Sequence, residues 1–160
     1  MPSETPTESD RVDAILRVLG GLADGQDVFE VAAAVGDLHP RYNTFPGEVY
    51  MRLAADALDV AGVDRSDPIP YEQLLEDYLS ECDFRGWDKR KIQYAILSSG
   101  AFRGGIEPDL LTDTAWRTDD FWRYALFAAV AVIRACSARL DIPVAEFAER
   151  LVRHHGLELP

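Results

Sequence analysis

The sequence predicts an all-α protein: a compact, mixed or orthogonal bundle of about seven helices around one apolar central helix. Almost every segment places its apolar residues at helical spacing, and no segment alternates with the period of two that marks a half-buried strand. The stretch from Phe121 to Cys136 is apolar on every side of a helical wheel, apart from Arg123 and Arg134. Because a helix that is apolar all round is buried on all sides, we expect residues from about 119 to 140 to form the centre of the bundle.

Length and composition predict one domain that follows a short lead. The chain has 160 residues, of which 48% are apolar and 28% are charged. This balance is ordinary for a domain that buries a core without disulfides or metal. Residues 1–8 are polar and lack the basic and apolar regions of a signal peptide, so we expect a disordered N-terminal lead. Residues 9–160 are then the single helical domain.

The first two helices are bounded by residues that favour helix ends. Apolar residues between Val12 and Leu22 share one face of a helix that begins at Ser9 or Asp10, whose short polar side chains cap free amides. A second, short helix follows Asp27, which is its predicted N-cap residue. The valine-rich stripe of this helix is expected to end at Gly36.

Three further helical patterns occupy the middle of the chain. Pro46 suits the first turn of a helix, where no amide hydrogen is needed, and the stripe that follows it ends at Gly62. A second stripe covers residues 70–82. A third covers residues 88–99 and begins at Asp88.

The C-terminal part of the chain contains the last three predicted helical segments. A short helical turn is expected around residues 108–114. Thr118 is followed by two aspartates, and acidic groups stabilise the positive end of a helix, so the central helix begins here. Pro143 opens the last helix, and Gly156 ends it.

The net charge of −12 is concentrated in the first half of the chain. Residues 1–83 contain 18 acidic and 5 basic residues, whereas residues 84–160 contain 10 and 11. An acidic body repels phosphate backbones and anionic bilayers, so we expect no nucleic acid and no membrane among the partners. The acidic half is either a soluble surface or a docking face for a basic partner.

Residue usage suggests a cytoplasmic, bacterial protein. The apolar run near Val130 is too short to span a bilayer and is interrupted by Arg134. Two cysteines, Cys82 and Cys136, are too few for a disulfide framework, and we expect both to be unbridged thiols. Arginine greatly outnumbers lysine and alanine is abundant, which is typical of a GC-rich bacterial genome.

The sequence contains no recognisable catalytic or metal-binding signature. The sequence has no glycine-rich phosphate loop, Cys-x-x-Cys pair, His-Glu-x-x-His motif or nucleophile elbow. His154 and His155 are adjacent, so on a helix they point about 100° apart and do not easily share a metal ion. We expect them to complement the negative end of their helix, and we expect neither a metal nor a cofactor.

Two regions are candidate sites for a ligand or a protein partner. One is a proline-bounded loop that combines a histidine with an arginine and a tyrosine, although these side chains could instead pack the loop onto the bundle. The other combines tryptophan with arginine, which are enriched at binding hot spots. Its tryptophans could equally be core anchors, with the arginines paired to nearby aspartates. The candidate residues are His39, Arg41, Tyr42, Arg85, Trp87, Trp116 and Arg117.

A third candidate is an interface stripe on the central helix. Arg123 and Arg134 are eleven residues, about three turns, apart and share a stripe with Phe127 and Ala131. The stripe is either a narrow seam that faces solvent or a subunit interface edged by arginines. Our hypothesis is that Arg134 is partly buried at a subunit boundary and pairs with a carboxylate.

The sequence favours a non-catalytic protein–protein interaction module that associates with a protein partner or with itself as a homodimer. An enzyme is the less favoured expectation because no catalytic motif is found. The alternative is a small-ligand-binding protein or an enzyme with a polar pocket between helices.

Overall fold

A computed structural model of the protein describes residues 8–36, 46–62 and 121–157. These ranges form five helices and no strand, which confirms the all-α prediction for this part of the chain. The helices are α1 (Glu8–Ala23), α2 (Val28–Val35), α3 (Pro46–Val60), α4 (Phe121–Arg139) and α5 (Val144–His154). The predicted total of about seven helices is not confirmed, because the patterns at 70–82, 88–99 and 108–114 lie outside the described residues. The predicted lead also lies outside them, except for Glu8.

Helix α4 is buried on every side, as its uninterrupted apolar sequence predicts. Every residue from Tyr124 to Ile133 is buried, over nearly three turns. Helix α3 makes the most extensive contact with it, and α2 and α5 also pack against it. The apolar residues of α3 are buried almost throughout, including Tyr50 and Met51. The α3–α4 pair therefore forms the centre of the described core.

Helices α1 and α2 form a compact hairpin, and α1 also packs on α5. The two helices of the hairpin approach each other closely at Gly21, which is buried. A Cβ atom at Gly21 would lie 3.0 Å from Cγ2 of Val31 and 2.6 Å from Oε1 of Gln26. The guanidinium of Arg17 joins the helices at the surface, since it donates to the backbone oxygen of Ala34 at 3.2 Å and pairs with Asp13 at 3.0 Å.

The start of α2 confirms the predicted cap. The Asp27 carboxylate accepts a hydrogen bond from the amide of Glu30 at 2.8 Å, and the Glu30 carboxylate accepts one from the amide of Asp27 at 3.5 Å. This reciprocal pair is a capping box, which satisfies two of the free amides at the helix start. The helix ends at Gly36 as predicted, although Gly36 keeps a right-handed conformation there.

The ends of α4 and α5 share one hydrogen-bonding pattern but differ in the residue that makes the turn. After α5, Gly156 adopts a φ of 69°, and the amide of Leu157 donates to the backbone oxygen of Val152. After α4, the corresponding turn residue is Asp141, with a φ of 53°, and the amide of Ile142 donates to Ser137. Both are Schellman motifs, which usually place glycine at the left-handed position.

Within the described residues, no helix has the length and apolarity needed to cross a lipid bilayer. Cys136 is a buried free thiol, as expected, whereas Cys82 lies outside the described residues.

Candidate functional site

The seven predicted ligand- or partner-binding residues lie outside the described residues, so their placement is not tested. They are His39, Arg41, Tyr42, Arg85, Trp87, Trp116 and Arg117. The four residues of the predicted interface stripe are all described, and they all lie on α4.

The interface stripe reaches the surface at its two ends and is buried in its middle. Phe127 and Ala131 have 0% and 1% of their surface exposed. Phe127 packs inside the chain, where its ring meets the ring of Phe29 edge-on, with a centroid distance of 5.3 Å. Arg123 is exposed, and Arg134 is half-buried. Any contact that this stripe makes with a second molecule therefore centres on the two arginines.

Arg123 is held at the first turn of α4 by an aromatic ring. Its guanidinium lies over the indole of Trp122, 5.6 Å from the ring centroid, which is within the range of a cation–π interaction. Trp122 itself is only 8% exposed and lies next to Gly36 at the end of α2. The Trp122 indole is thus held at the edge of the core, and it limits the conformations that the Arg123 side chain can adopt above it.

Arg134 lies near the other end of α4, and Cys136 and Ser137 after it are still buried. No carboxylate of the described residues forms an ion pair with its guanidinium. Its backbone oxygen accepts a hydrogen bond from the buried hydroxyl of Ser137 at 3.1 Å, which satisfies both polar groups within the helix. Because its guanidinium forms no ion pair there, Arg134 retains donors that could bind a carboxylate of another molecule.

A second polar cluster, which the sequence analysis does not identify, joins α3 to the end of α5. Nε2 of His155 lies 3.4 Å from Oδ2 of Asp56, and the two side chains are 21% and 31% exposed. Nε2 is buried, yet it makes no hydrogen bond, because the contact lacks the required geometry. His154 is exposed, and its ring packs edge-on against that of His155 at a centroid distance of 5.6 Å.

Burial shifts both members of the Asp56–His155 pair towards their uncharged forms. Desolvation lowers the pKa of His155 below its ordinary value, against the opposing attraction of Asp56, and a charge on His154 lowers it further. Desolvation raises the pKa of Asp56 above its ordinary value, and Asp59 adds to this effect. The positive charges of His155, His154 and Arg52 oppose the rise.

A carboxylate next to an imidazole is a pair of groups that can accept and donate protons. It does not amount to a metal site, because no group of three or more potential ligands comes together in the described residues. The ring of His154 is exposed, whereas the ring of His155 is turned towards α3.

Sequence reasoning missed this cluster because its two members are distant in the chain and each has an ordinary local explanation. His155 resembles a helix-end histidine, and Asp56 resembles a surface residue of α3. One signal was available: Asp56 interrupts the apolar run from Leu53 to Leu58.

The chain matches no family model, no curated protein and no solved structure. A role for the interface stripe of α4 or for the Asp56–His155 pair therefore rests on geometry.

Proposed function

We propose that this chain is a non-catalytic protein–protein interaction module that self-associates, with Arg123 and Arg134 of α4 at the interface. The observation that carries the proposal is Arg134, a half-buried residue whose guanidinium has no ion-pair partner among the described residues. Such a charge is stabilised when it gains a carboxylate, because a charge-assisted hydrogen bond is stronger than a neutral one.

A second copy of the chain is a suitable source of that carboxylate. The protein carries 28 acidic residues against 16 basic ones, so an acidic surface on one copy complements the arginine edge of another. Charge complementarity of this kind sets the orientation of the partners and accelerates their encounter. In a symmetric dimer each copy would contribute one arginine edge and one acidic patch.

The cation–π contact of Arg123 supports a role at the same edge. The two arginines are eleven positions apart on one helix, which corresponds to about 16 Å along the axis. A guanidinium that is already stacked on an indole loses less conformational freedom on binding than a free side chain does. Burial of Phe127 and Ala131 confines the proposed contact to the helix ends and the elements beside them.

The proposal is tested with the Arg134→Leu variant. We expect the wild-type protein to dimerise with rising concentration in sedimentation equilibrium, and we expect the variant to dissociate at least tenfold more readily, since truncating one partner of a buried charge pair costs about 2–5 kcal/mol.

The matched control is Arg150→Leu, which removes an arginine whose side chain is 41% exposed and that pairs with Glu146 on its own helix. This control should leave the dimer unchanged. A wild type that stays monomeric at high concentration, together with an Arg134→Leu variant of unaltered stability, would reject the interface and leave Arg123 and Arg134 as arginines that face solvent.

A small-ligand-binding protein or an enzyme is the second candidate, and the Asp56–His155 pair favours it. The pair places a carboxylate and an imidazole between two helices, which is the chemistry of an acid–base site. Native mass spectrometry of the protein purified from its own host separates the candidates. A retained small molecule supports the second one, and a ligand-free dimer supports the first.

A further inference from the structure

We propose that the last two turns of α4 pack antiparallel on the same turns of a second copy of this chain, with Arg134 of one copy paired to Asp141 of the other. This inference rests on the self-association proposed above, and it names the carboxylate that Arg134 meets. It concerns the Arg134 end of the interface stripe.

A cation, a small residue and an anion follow one another along one face at the end of α4. Arg134, Ala138 and Asp141 have the spacing i, i+4 and i+7, which places residues of a helix on the same face. Asp141 follows the last helical residue, Arg139, and its amide still donates to the backbone oxygen of Ala138 at 3.1 Å. Ala138 and Asp141 are exposed, and Arg134 is half-buried. A second molecule can therefore reach all three positions.

The two charges do not satisfy each other within one copy. Seven positions of a helix correspond to about 10 Å along its axis, which is too far for an ion pair. Neither Arg134 nor Asp141 forms an ion pair with any other described residue. The carboxylate of Asp141 also lies at the negative end of α4, where an anion is unfavourable and a nearby cation is stabilising. Each group would therefore gain from an opposite charge on another molecule.

A two-fold axis supplies both opposite charges at once. In a symmetric dimer, any contact of residue i with residue j is repeated as a contact of j with i. An antiparallel crossing centred close to Ala138 places Arg134 of each copy opposite Asp141 of the other, which gives two equal ion pairs. The methyl group of Ala138 lets the two helices approach closely at the centre of the crossing. A parallel crossing would instead bring like charges together, so the charge pattern selects the antiparallel one.

Charge reversal of the full chain, followed by sedimentation equilibrium, tests this pairing. The Arg134→Asp and Asp141→Arg variants each place like charges opposite one another at both pairs of the dimer. We expect each variant alone to dissociate about tenfold more readily than the wild type. An equimolar mixture of the two variants should regain the wild-type affinity, because their heterodimer again contains two pairs of opposite charge.

Two further variants separate the pairing from effects of net charge and of backbone strain. Asp24→Arg reverses an exposed carboxylate directly after α1 and should leave the dimer unchanged. Asp141→Asn removes the charge but tolerates the left-handed turn, and it should still weaken the dimer. A dimer that Arg134→Asp weakens but both Asp141 variants leave intact, with no gain on mixing, would overturn the pairing and keep the self-association. A monomeric wild type would reject both.

Discussion

Asp141 occupies a backbone position that glycine would fill with less strain. Its φ of 53° lies in the left-handed region, where a side chain crowds the backbone by roughly 1 kcal/mol or more, although aspartate tolerates it better than most residues. Gly156 makes the equivalent turn after α5. The α4 end thus shows that this chain accepts a small local strain to join its central helix to its last one.

We predict that Asp141→Gly is more stable than Asp141→Ala by about 1 kcal/mol. Both changes remove the same exposed carboxylate from the negative end of α4, so their difference reports the backbone conformation alone. Urea unfolding measures it. Equal stability of the two variants would indicate that the turn rearranges when the aspartate is lost.

At the scale of helices, the hairpin of α1 and α2 depends on a residue without a side chain. Alanine normally stabilises a helix interior relative to glycine by about 0.5–1 kcal/mol. At Gly21, however, the added Cβ would press on Val31 across the hairpin at 3.0 Å. Close packing leaves little room for an extra methyl group, and overpacking costs about 1–3 kcal/mol.

We therefore predict that Gly21→Ala destabilises the protein by about 1 kcal/mol, opposite to its effect on helix propensity. Ala33→Gly is the control, since Ala33 is exposed on α2 and should report propensity alone. Denaturant unfolding of both variants gives the comparison. A Gly21→Ala protein that is more stable than the wild type would show that the helices separate at no cost.

Helix ends were predictable where a residue type has a specific task there. Asp27 caps the start of α2 and Gly156 makes the left-handed turn after α5, as their chemistry favours. Gly36 and Pro143 also stand at the predicted helix ends, although Gly36 is right-handed and Pro143 makes no side-chain cap. The end of α4 lacks such a residue, and the sequence places that end only at about residue 140. Tertiary partners were not predictable, because periodicity shows which face is buried and leaves open which helix covers it. The Asp56–His155 contact follows from that pairing, and so it became visible only in the structure.

At the scale of the whole molecule, the Asp56–His155 pair predicts a stability that varies with pH in two opposite directions. The pKa of His155 is lowered from 6.5, so the unfolded chain binds its proton first, and stability falls as the pH drops through 6.5. The pKa of Asp56 is raised from 3.8, so the folded chain binds that proton first. The Asp56 carboxyl therefore makes the folded protein more stable as the pH falls from its raised pKa towards 3.8.

We expect urea unfolding at a series of pH values to show these contributions as differences from variants. The loss of stability just below pH 6.5 should be smaller in His155→Gln than in the wild type. The gain in stability as the pH falls towards 3.8 should be smaller in Asp56→Asn than in the wild type. Parallel curves for wild type and both variants would mean that neither group changes its proton affinity on folding.

The contact between α3 and α4 has a consequence for the time course of folding. Val60 ends α3 and Phe121 begins α4, so the two partners are at least 61 positions apart in the chain. Helical bundles usually fold fast because their contacts are local, whereas contacts between distant segments require a large loop to close first. During synthesis α3 emerges well before α4, so the apolar face of α3 stays uncovered until α4 has been made. We infer that this chain collapses and folds more slowly than a bundle of sequence-adjacent helices of the same size.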